Sequence, residues 1–349
     1  MLTAVYSSWV PAERILRINA WSSELAKLAA NAMLAQRISS INAISAICER
    51  TGSGDGGGAQ VDQVARAVGL DPRIGPQFLK AGLGFGGSCF RKDVASLTYL
   101  AESLGLDDVA DYWRQVNVMN EMQRDRFARR VIKRFDGNLV ARKITLLGFA
   151  FKKNTGDPRE SLAVDVIRLL GEERPGEIAI FDPFCRENDV LREVASVCGQ
   201  QTAVKFYSDP YLACTQAHAV LVITDCDQFR NQAKGHGQSL GKGLKSLTLD
   251  TGMLEAGQDA GQHTSQDEMH GELHETYTAN GHTYYLKPQT CPPDCSGCDR
   301  KPMAVTDPLE WARVAYNMRE PKWVFDGRGI LDLGGLQRLG LRVDSVGRS

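Results

Sequence analysis

The stretch Ile144-Thr145-Leu146-Leu147-Gly148-Phe149 decides the fold. It is short, apolar at neighbouring as well as alternate positions, and closed by a glycine turn. Such a run reads as a strand buried on both faces of a parallel sheet. Working outward, the pattern repeats. Residues 161–170 read as a helix, and 178–181 as a strand ending in Asp182. Residues 203–206, 219–224, 323–325 and 341–346 continue the series of strands. Strands and helices alternating at this spacing predict an α/β chain with a Rossmann-like, doubly wound parallel sheet.

Before about Arg142 the pattern is helical. Residues 22–50 read as one long helix, with Ser22 or Ser23 available as its cap. Leu25, Leu28, Ala32 and Ala35 form one apolar stripe; Leu34, Ile38, Ile41, Ile44 and Cys48 form another. A helix apolar on more than one side is deeply buried or shared between subunits. A glycine-rich loop over 51–59 and a short helix over 61–68 follow, then the turn Asp71-Pro72-Arg73. Residues 88–104 form a helix with Val94, Leu97, Leu100 (or Ala101) and Leu104 on one stripe. Residues 108–135 form a second long helix, with Val109, Trp113, Val116 and Asn120 at helical spacing. The expected division is 1–20, 21–140 and 141–349. Within the last, about 230–309 is rich in Gly, Gln, His, Thr and acids, lacks sustained periodicity, and is expected to be a disordered inserted loop.

Bulk composition narrows the class. The chain has 349 residues, 43% hydrophobic content and a formal net charge of −1. No general attraction to nucleic acid or to an anionic membrane follows. The nine cysteines show no disulfide-framework spacing, and no apolar run spans a bilayer. Residues 1–10 are too short and too interrupted for a secretory signal, so a cytoplasmic location is expected.

The chemistry centres on Cys89, which closes the run Gly84-Phe85-Gly86-Gly87-Ser88-Cys89. The glycines allow close backbone approach to a ligand. A thiol in the first turn of a helix sits where free N–H groups favour thiolate. Asp93 follows one turn on. A nucleophile and a carboxylate behind a glycine loop suit covalent catalysis; a plain buried cysteine after a turn is the other reading. Gly82-Leu83-Gly84-Phe85-Gly86-Gly87 fits G-x-G-x-x-G, but it has no preceding strand and no later acidic partner, so it is not read as a dinucleotide loop. Lys27 and Asn31 are four apart on one helical face and can meet one atom; a surface pair of Lys27 with Glu24 is the alternative.

Gly84 to Asp93 resembles the catalytic segment of the nucleotide-sugar dehydrogenases, the UDP-glucose/GDP-mannose dehydrogenase family. Trp21-Ser22-Ser23-Glu24-Leu25-Ala26-Lys27-Leu28-Ala29-Ala30-Asn31, Gln36-Arg37-Ile38-Ser39-Ser40-Ile41-Asn42, Gly148-Phe149-Ala150-Phe151-Lys152-Lys153, Thr155-Gly156-Asp157, Arg159-Glu160-Ser161 and Phe325-Asp326-Gly327-Arg328 agree with it in order. The resemblance implies oxidation of UDP-glucose to UDP-glucuronate by two NAD, through a thiohemiacetal and a thioester on Cys89. It implies that Lys27 and Asn31 stabilise the oxyanion and touch substrate, and that Asp93 assists proton transfer and water activation. Lys80, Ala81, Gly82, Leu83, Gly84, Phe85 and Gly86 would wrap the nucleotide sugar, with Phe151, Lys152 and Arg328 from the sheet side. Arg73 would cross from a second subunit, which implies a homodimer or higher homo-oligomer. Cys89, Phe90, Arg91, Lys92 and Arg159 would face NAD.

By the same resemblance, 1–20 is expected to be the remnant of an otherwise missing N-terminal NAD-binding domain. Residues 21–140 become the catalytic and dimerisation region, 141–349 the UDP-binding domain, and 51–59 an insertion. Two readings of such a truncated chain are open: an enzyme inactive alone, or a non-catalytic regulatory paralogue that associates with full-length subunits. A sugar such as GDP-mannose is the other substrate reading. Cys291, Cys295 and Cys298 stand in C-x3-C-x2-C spacing. An iron–sulfur cluster, a zinc site completed by His274 or His282, and incidental cysteines are the readings open there, and no metal site is assigned.

Overall fold

In the computed structural model, which describes residues 2–51, 57–198, 203–230 and 307–348 together with the backbone of 275–279 and 282–286, the α/β expectation holds. The strands of the main sheet are β1 (Lys143–Leu147), β2 (Glu177–Phe181), β3 (Val204–Phe206) and β4 (Ala219–Val222), then β7 (Trp323–Asp326) and β8 (Arg342–Ser345). Two more, β5 (Glu275–Ala279) and β6 (His282–Leu286), form a two-stranded sheet. The sheet runs β3-β2-β1-β4-β7-β8, and every pair in it is parallel. The order reverses between β1 and β4, which opens a crevice at their carboxyl ends.

Strand alternation supplies a core on each face. Ile144, Leu146, Ile178, Ile180, Ala219 and Leu221 face one layer, with α6 (Leu162–Gly171) and α7 (Glu187–Cys198). Leu147, Ala179, Phe181, Val220 and Val222 face the other. There they meet α8 (Pro210–Cys214), α9 (Trp311–Asn317) and α10 (Leu333–Arg338). Thr145 is the fully buried polar residue within β1, and its hydroxyl donates to the Ala213 carbonyl at 2.7 Å. That bond removes the cost of burying it.

The helical part comprises α1 (Leu2–Tyr6), α2 (Ala20–Cys48), α3 (Val61–Gly69), α4 (Ser88–Ser103) and α5 (Asp107–Lys133). Val116 of α5 shares a small core with Ala32 and Ala35 of α2 and with Val94 and Leu97 of α4. Further along the same helix, Phe127 and Val131 join the core of the sheet. Helix α5 therefore belongs to both parts. The cap of α2 is Asn19, whose side chain accepts from the Ser22 amide at 2.8 Å, rather than Ser22 or Ser23. Of the expected stripes, Ala32, Ala35, Ile41 and Cys48 are buried, while Leu25 and Ile44 are exposed.

Arginines on α5 tie the helix to the end of the sheet. Glu49 receives Arg126 at 2.7 Å and Arg130 at 2.5 Å. Asp344, just inside β8, pairs with Arg130 and with Arg134, the latter at 2.8 Å. Glu49 also accepts the Gly347 amide at 2.7 Å, which fixes the chain after β8.

The chain divides into two units, Met1–Asn231 with Arg300–Ser349, and Gln232–Asp299. In the second, β5 and β6 pair antiparallel from Glu275↔Leu286 to Ala279↔His282. This hairpin departs from the expected structureless loop. Its sequence reason is local: Thr and Tyr fill both strands, and Asn280-Gly281 is a strong hairpin dipeptide. Apart from Arg230 and 307–309, the remainder of that expectation lies outside the described residues, as do the glycines at 52–56 and the Cys291, Cys295, Cys298 trio. Among the described residues no helix is long and apolar enough to cross a membrane, and no group of His, Cys, Asp or Glu could hold a metal.

Replacing Glu49 by alanine takes the carboxylate partner from the largely buried Arg126 and one of two from Arg130, which keeps Asp344. The expected loss is about 3 kcal/mol of unfolding free energy, read from urea denaturation at neutral pH. A change within about 0.5 kcal/mol, the size of an ordinary surface substitution, would show that Glu49 does not tie α5 to the chain after β8.

Candidate active site

The segment Gly82–Gly87 enters the site between three buried amides and the ends of two strands. Asn120 of α5 is buried; its side-chain oxygen accepts the Phe85 N–H at 2.9 Å and its NH2 donates to the Phe85 carbonyl at 2.9 Å. Asn42 of α2 accepts the Gly82 N–H at 2.9 Å, and Gln123 of α5 donates to the Gly82 carbonyl at 2.6 Å. A loop buried without strand partners thus has its backbone satisfied by side chains. The glycines are required sterically. Gly84 has φ +107°, and a Cβ there would lie 2.2 Å from the Asn120 oxygen. A Cβ on Gly87, φ +77°, would meet the Phe151 ring at 2.7 Å.

The loop lies against the switch point. Arg328, just past β7, donates through Nε to the Ile223 carbonyl and through a terminal nitrogen to the Gly84 carbonyl at 3.2 Å. Burial pushes its guanidinium down to about 10, while Asp225 and Asp326 pull it upward. It remains a cation at neutral pH. Beyond β1, Phe151 packs on Gly87, and Lys152 Nζ stands 5.1 Å from that ring's centre.

A cavity of about 740 Å³ opens there, lined by Gly84 to Phe90 and, from the sheet side, by Phe151, Lys152, Lys153, Arg159 and Arg328. That volume suits a small-molecule ligand. A second, of about 220 Å³, adds Lys80, Ala81 and Gly82 and shares Gly84, Asp225 and Arg328 with the first. Phe85 and Phe78 flank Phe90, with ring centres 5.7 Å and 6.4 Å from it. Lys80 reaches Asp225 at 3.3 Å, and Lys153 reaches Asp227 at 2.6 Å.

Cys89 is the second residue of α4 and is exposed in the cavity wall. Cys48, Cys185, Cys214 and Cys226 are buried and Cys198 is half-buried. One turn after Cys89, Asp93 is 1% exposed and turned toward α2. A single oxygen of Asp93 receives the Lys27 ammonium and the Asn31 amide, the latter at 2.6 Å. Burial raises the carboxyl pKa, and the hydrogen bonds from Lys27 and Asn31, with the charges of Lys27 and Lys92, outweigh it, so the value lies below the ordinary one.

The structure therefore brings Lys27, Asn31 and Asp93 together on one side of α4 and places Cys89 a turn away. Lys27, Asn31 and Asp93 do not line the cavity, and Leu83 is buried beneath it. Arg91 lies 3.7 Å from Glu121, and both it and Lys92 are outside the lining. Arg159 lines the cavity while paired with Asp157 at 2.7 Å. Arg73 is also outside, mostly exposed and held by Asp71 at 2.6 Å. The amides of Asn42, Asn120 and Gln123, and Asp225, were not identified from the sequence as site residues. The available signal was a polar residue at a helix position that periodicity buries.

Residues 21–122 match the central domain of the UDP-glucose/GDP-mannose dehydrogenase family, and residues 145–253 match its UDP binding domain. The chain belongs to the UDP-glucose/GDP-mannose dehydrogenase family. A UDP-glucose 6-dehydrogenase of Drosophila melanogaster is 47% identical over 353 residues, 99% of this chain and 56% of that one. The UDP-glucose 6-dehydrogenase of Caenorhabditis elegans is 51% identical over 231 residues, 65% of this chain and 47% of that one. The chain thus spans about half the length of these relatives. A solved NDP-N-acetyl-D-galactosaminuronic acid dehydrogenase from Methanosarcina mazei Go1 shares the fold, with TM-score 0.62 at 15% identity over 100% of this chain and 55% of that one. The central-domain match contains Lys27, Asn31, the glycine loop, Cys89 and Asp93. The UDP-binding match starts inside β1 and takes in the switch point.

Two consequences can be measured. Asn120→Ala leaves both polar groups of the buried Phe85 backbone without their partner and is expected to cost about 3 kcal/mol, seen as an earlier urea midpoint. Asp93 has a lower pKa folded than unfolded, so its contribution is complete above the ordinary carboxylate range and fades as pH falls through the folded value. Asp93→Asn should therefore lower stability at pH 7 and flatten the decline below about pH 4; an unaltered acid limb would contradict the assignment.

Proposed function

We propose that this chain binds UDP-glucose in the connected cavities and presents Cys89 to the sugar's C6, as the nucleotide-sugar half of a UDP-glucose 6-dehydrogenase. One observation carries the reading: Cys89 is exposed in the wall of a cavity at the sheet's switch point, beside a backbone-lined loop and cations. The diphosphate would lie against the Lys80–Gly86 backbone with Lys80, Lys152 and Arg328 offering charge.

Once C6 is an aldehyde, the Cys89 sulfur adds to its carbon, and the carbonyl oxygen takes the negative charge. Lys27 and Asn31, which stand a turn of α4 away from Cys89 and outside the cavity lining, are the groups assigned to stabilise that oxygen. A carboxylate with a depressed pKa is a weak base at neutral pH. Asp93 is therefore assigned first to holding the ammonium and the amide in place, and second to orienting water. In the last step water adds to the thioester carbon, the carbon–sulfur bond breaks, and Cys89 leaves as thiolate with UDP-glucuronate as product. NAD, when bound, accepts the hydrides of the two oxidations. Of this chain's residues, Arg159, Phe90 and Cys89 lie where they could face NAD, whereas Arg91 and Lys92 stand outside the cavity lining. Arg73, held away from the cavity of its own chain, is assigned to the site of a second copy in a homo-oligomer.

The test uses the chain with UDP-glucose. The ligand should raise the melting temperature, NAD alone should leave it unchanged, and GDP-mannose serves as the comparison nucleotide sugar. At about 100 times Kd, UDP-glucose should slow iodoacetamide alkylation of Cys89 about 100-fold, followed by peptide mass spectrometry. Alkylation at an unchanged rate under saturating UDP-glucose would overturn the site.

A further inference from the structure

A second concave site lies away from Cys89, between the last turns of α2 and the second half of α5. It encloses about 1100 Å³ and is lined by seven cationic side chains against three carboxylates. It shares no lining residue with the Cys89 cavity. Two of its carboxylates are already committed: Glu49 to Arg126 and Arg130, and Asp344 to Arg130 and Arg134. Arg50, Arg129 and Lys133 remain. They are exposed, and among the described residues no carboxylate lies within ion-pair distance of them. Arg129 and Lys133 stand four apart on α5, a spacing at which like charges repel. A separate observation points the same way. Arg348 also lines the cleft; one terminal nitrogen bonds Asp62 at 2.8 Å, but its Nε is buried without a partner. Such a donor normally has an acceptor.

We propose that this cleft binds a small polyanion carrying two or more linked phosphate groups. Guanidinium forks match phosphate oxygens in pairs, and surplus like charges become favourable once an anion joins them. The apolar lining is limited to Ala46, Ile47 and Met122, with no aromatic ring to stack a base. Recognition therefore falls on the phosphate chain rather than on a nucleobase. The site is independent of UDP-glucose binding.

Inorganic tripolyphosphate is the probe, titrated calorimetrically into the chain at low and high sodium chloride. One saturable event is expected, weakened by salt. The double variant Arg129→Gln/Lys133→Gln removes exposed, unpaired charges and should bind about ten-fold more weakly, with its circular dichroism unchanged. Arg50→Gln serves as a second, independent variant with the same direction of effect. Arg192→Gln, on α7, should bind as the unaltered chain does. The proposal is overturned by the absence of saturable binding, by equal loss in Arg192→Gln, or by an acidic peptide such as polyglutamate binding where tripolyphosphate does not.

Discussion

The structure depends on how the Gly82–Gly87 segment is held. Neither strand nor helix supplies its hydrogen bonds. Three carboxamides from α2 and α5 bind the backbone of Gly82 and Phe85 on both donor and acceptor sides, while Arg328 donates to the Gly84 carbonyl and the Gly87 N–H to the Glu160 carbonyl. The opposite side of the segment is closed by the sheet: a Cβ on Gly82 would lie 3.0 Å from the Gly327 carbonyl, and one on Gly86 would lie 2.8 Å from the Glu160 carbonyl. Side chains are excluded on both sides, so the backbone itself forms part of the cavity wall. The first turn of α4, with Cys89, inherits its position from that wall.

Carboxylates at strand ends organise the sheet side in a similar way. Asp182, after β2, accepts the amides of Phe149 and Ala150 at 2.7 Å and 2.9 Å, which fixes the turn leading to Phe151. Asp326, at the end of β7, accepts from Arg328, Ile330 and Leu331. Its burial raises the pKa and those backbone donors oppose the rise. A buried acceptor aimed at successive N–H groups holds a loop rigidly. Phe151, Lys152 and Arg328 therefore stand on fixed turns, which suits a preorganised ligand site.

The sequence made the sheet legible because a parallel strand buried on both faces is apolar over most of its length; β4 is wholly so, and β1 and β2 depart only at Lys143, Thr145 and Glu177. Cys89, Lys27 and Asn31 stand in the segments that carry the resemblance, and helical spacing puts Asp93 one turn after Cys89; that Asp93 meets Lys27 and Asn31 was not legible. The clamp was not legible. Asn120 sits in the same periodic row as Val116, and periodicity marks a position as buried without saying that its partner is a loop 35 residues earlier. The cap of α2 was misassigned because Asn19 and Ser22 both suit that role, and only geometry separates acceptor from donor. The hairpin at β5 and β6 escaped notice because its short Thr–Tyr strands stand in a long polar stretch.

The most direct measurement is hydrogen–deuterium exchange of the chain with and without UDP-glucose. Amides in the peptides covering 80–90 and 149–153 are expected to exchange more slowly with ligand, and peptides of α7 to remain unchanged. Protection confined to other regions, or none at saturating UDP-glucose, would contradict a nucleotide-sugar site built on the clamped glycine loop.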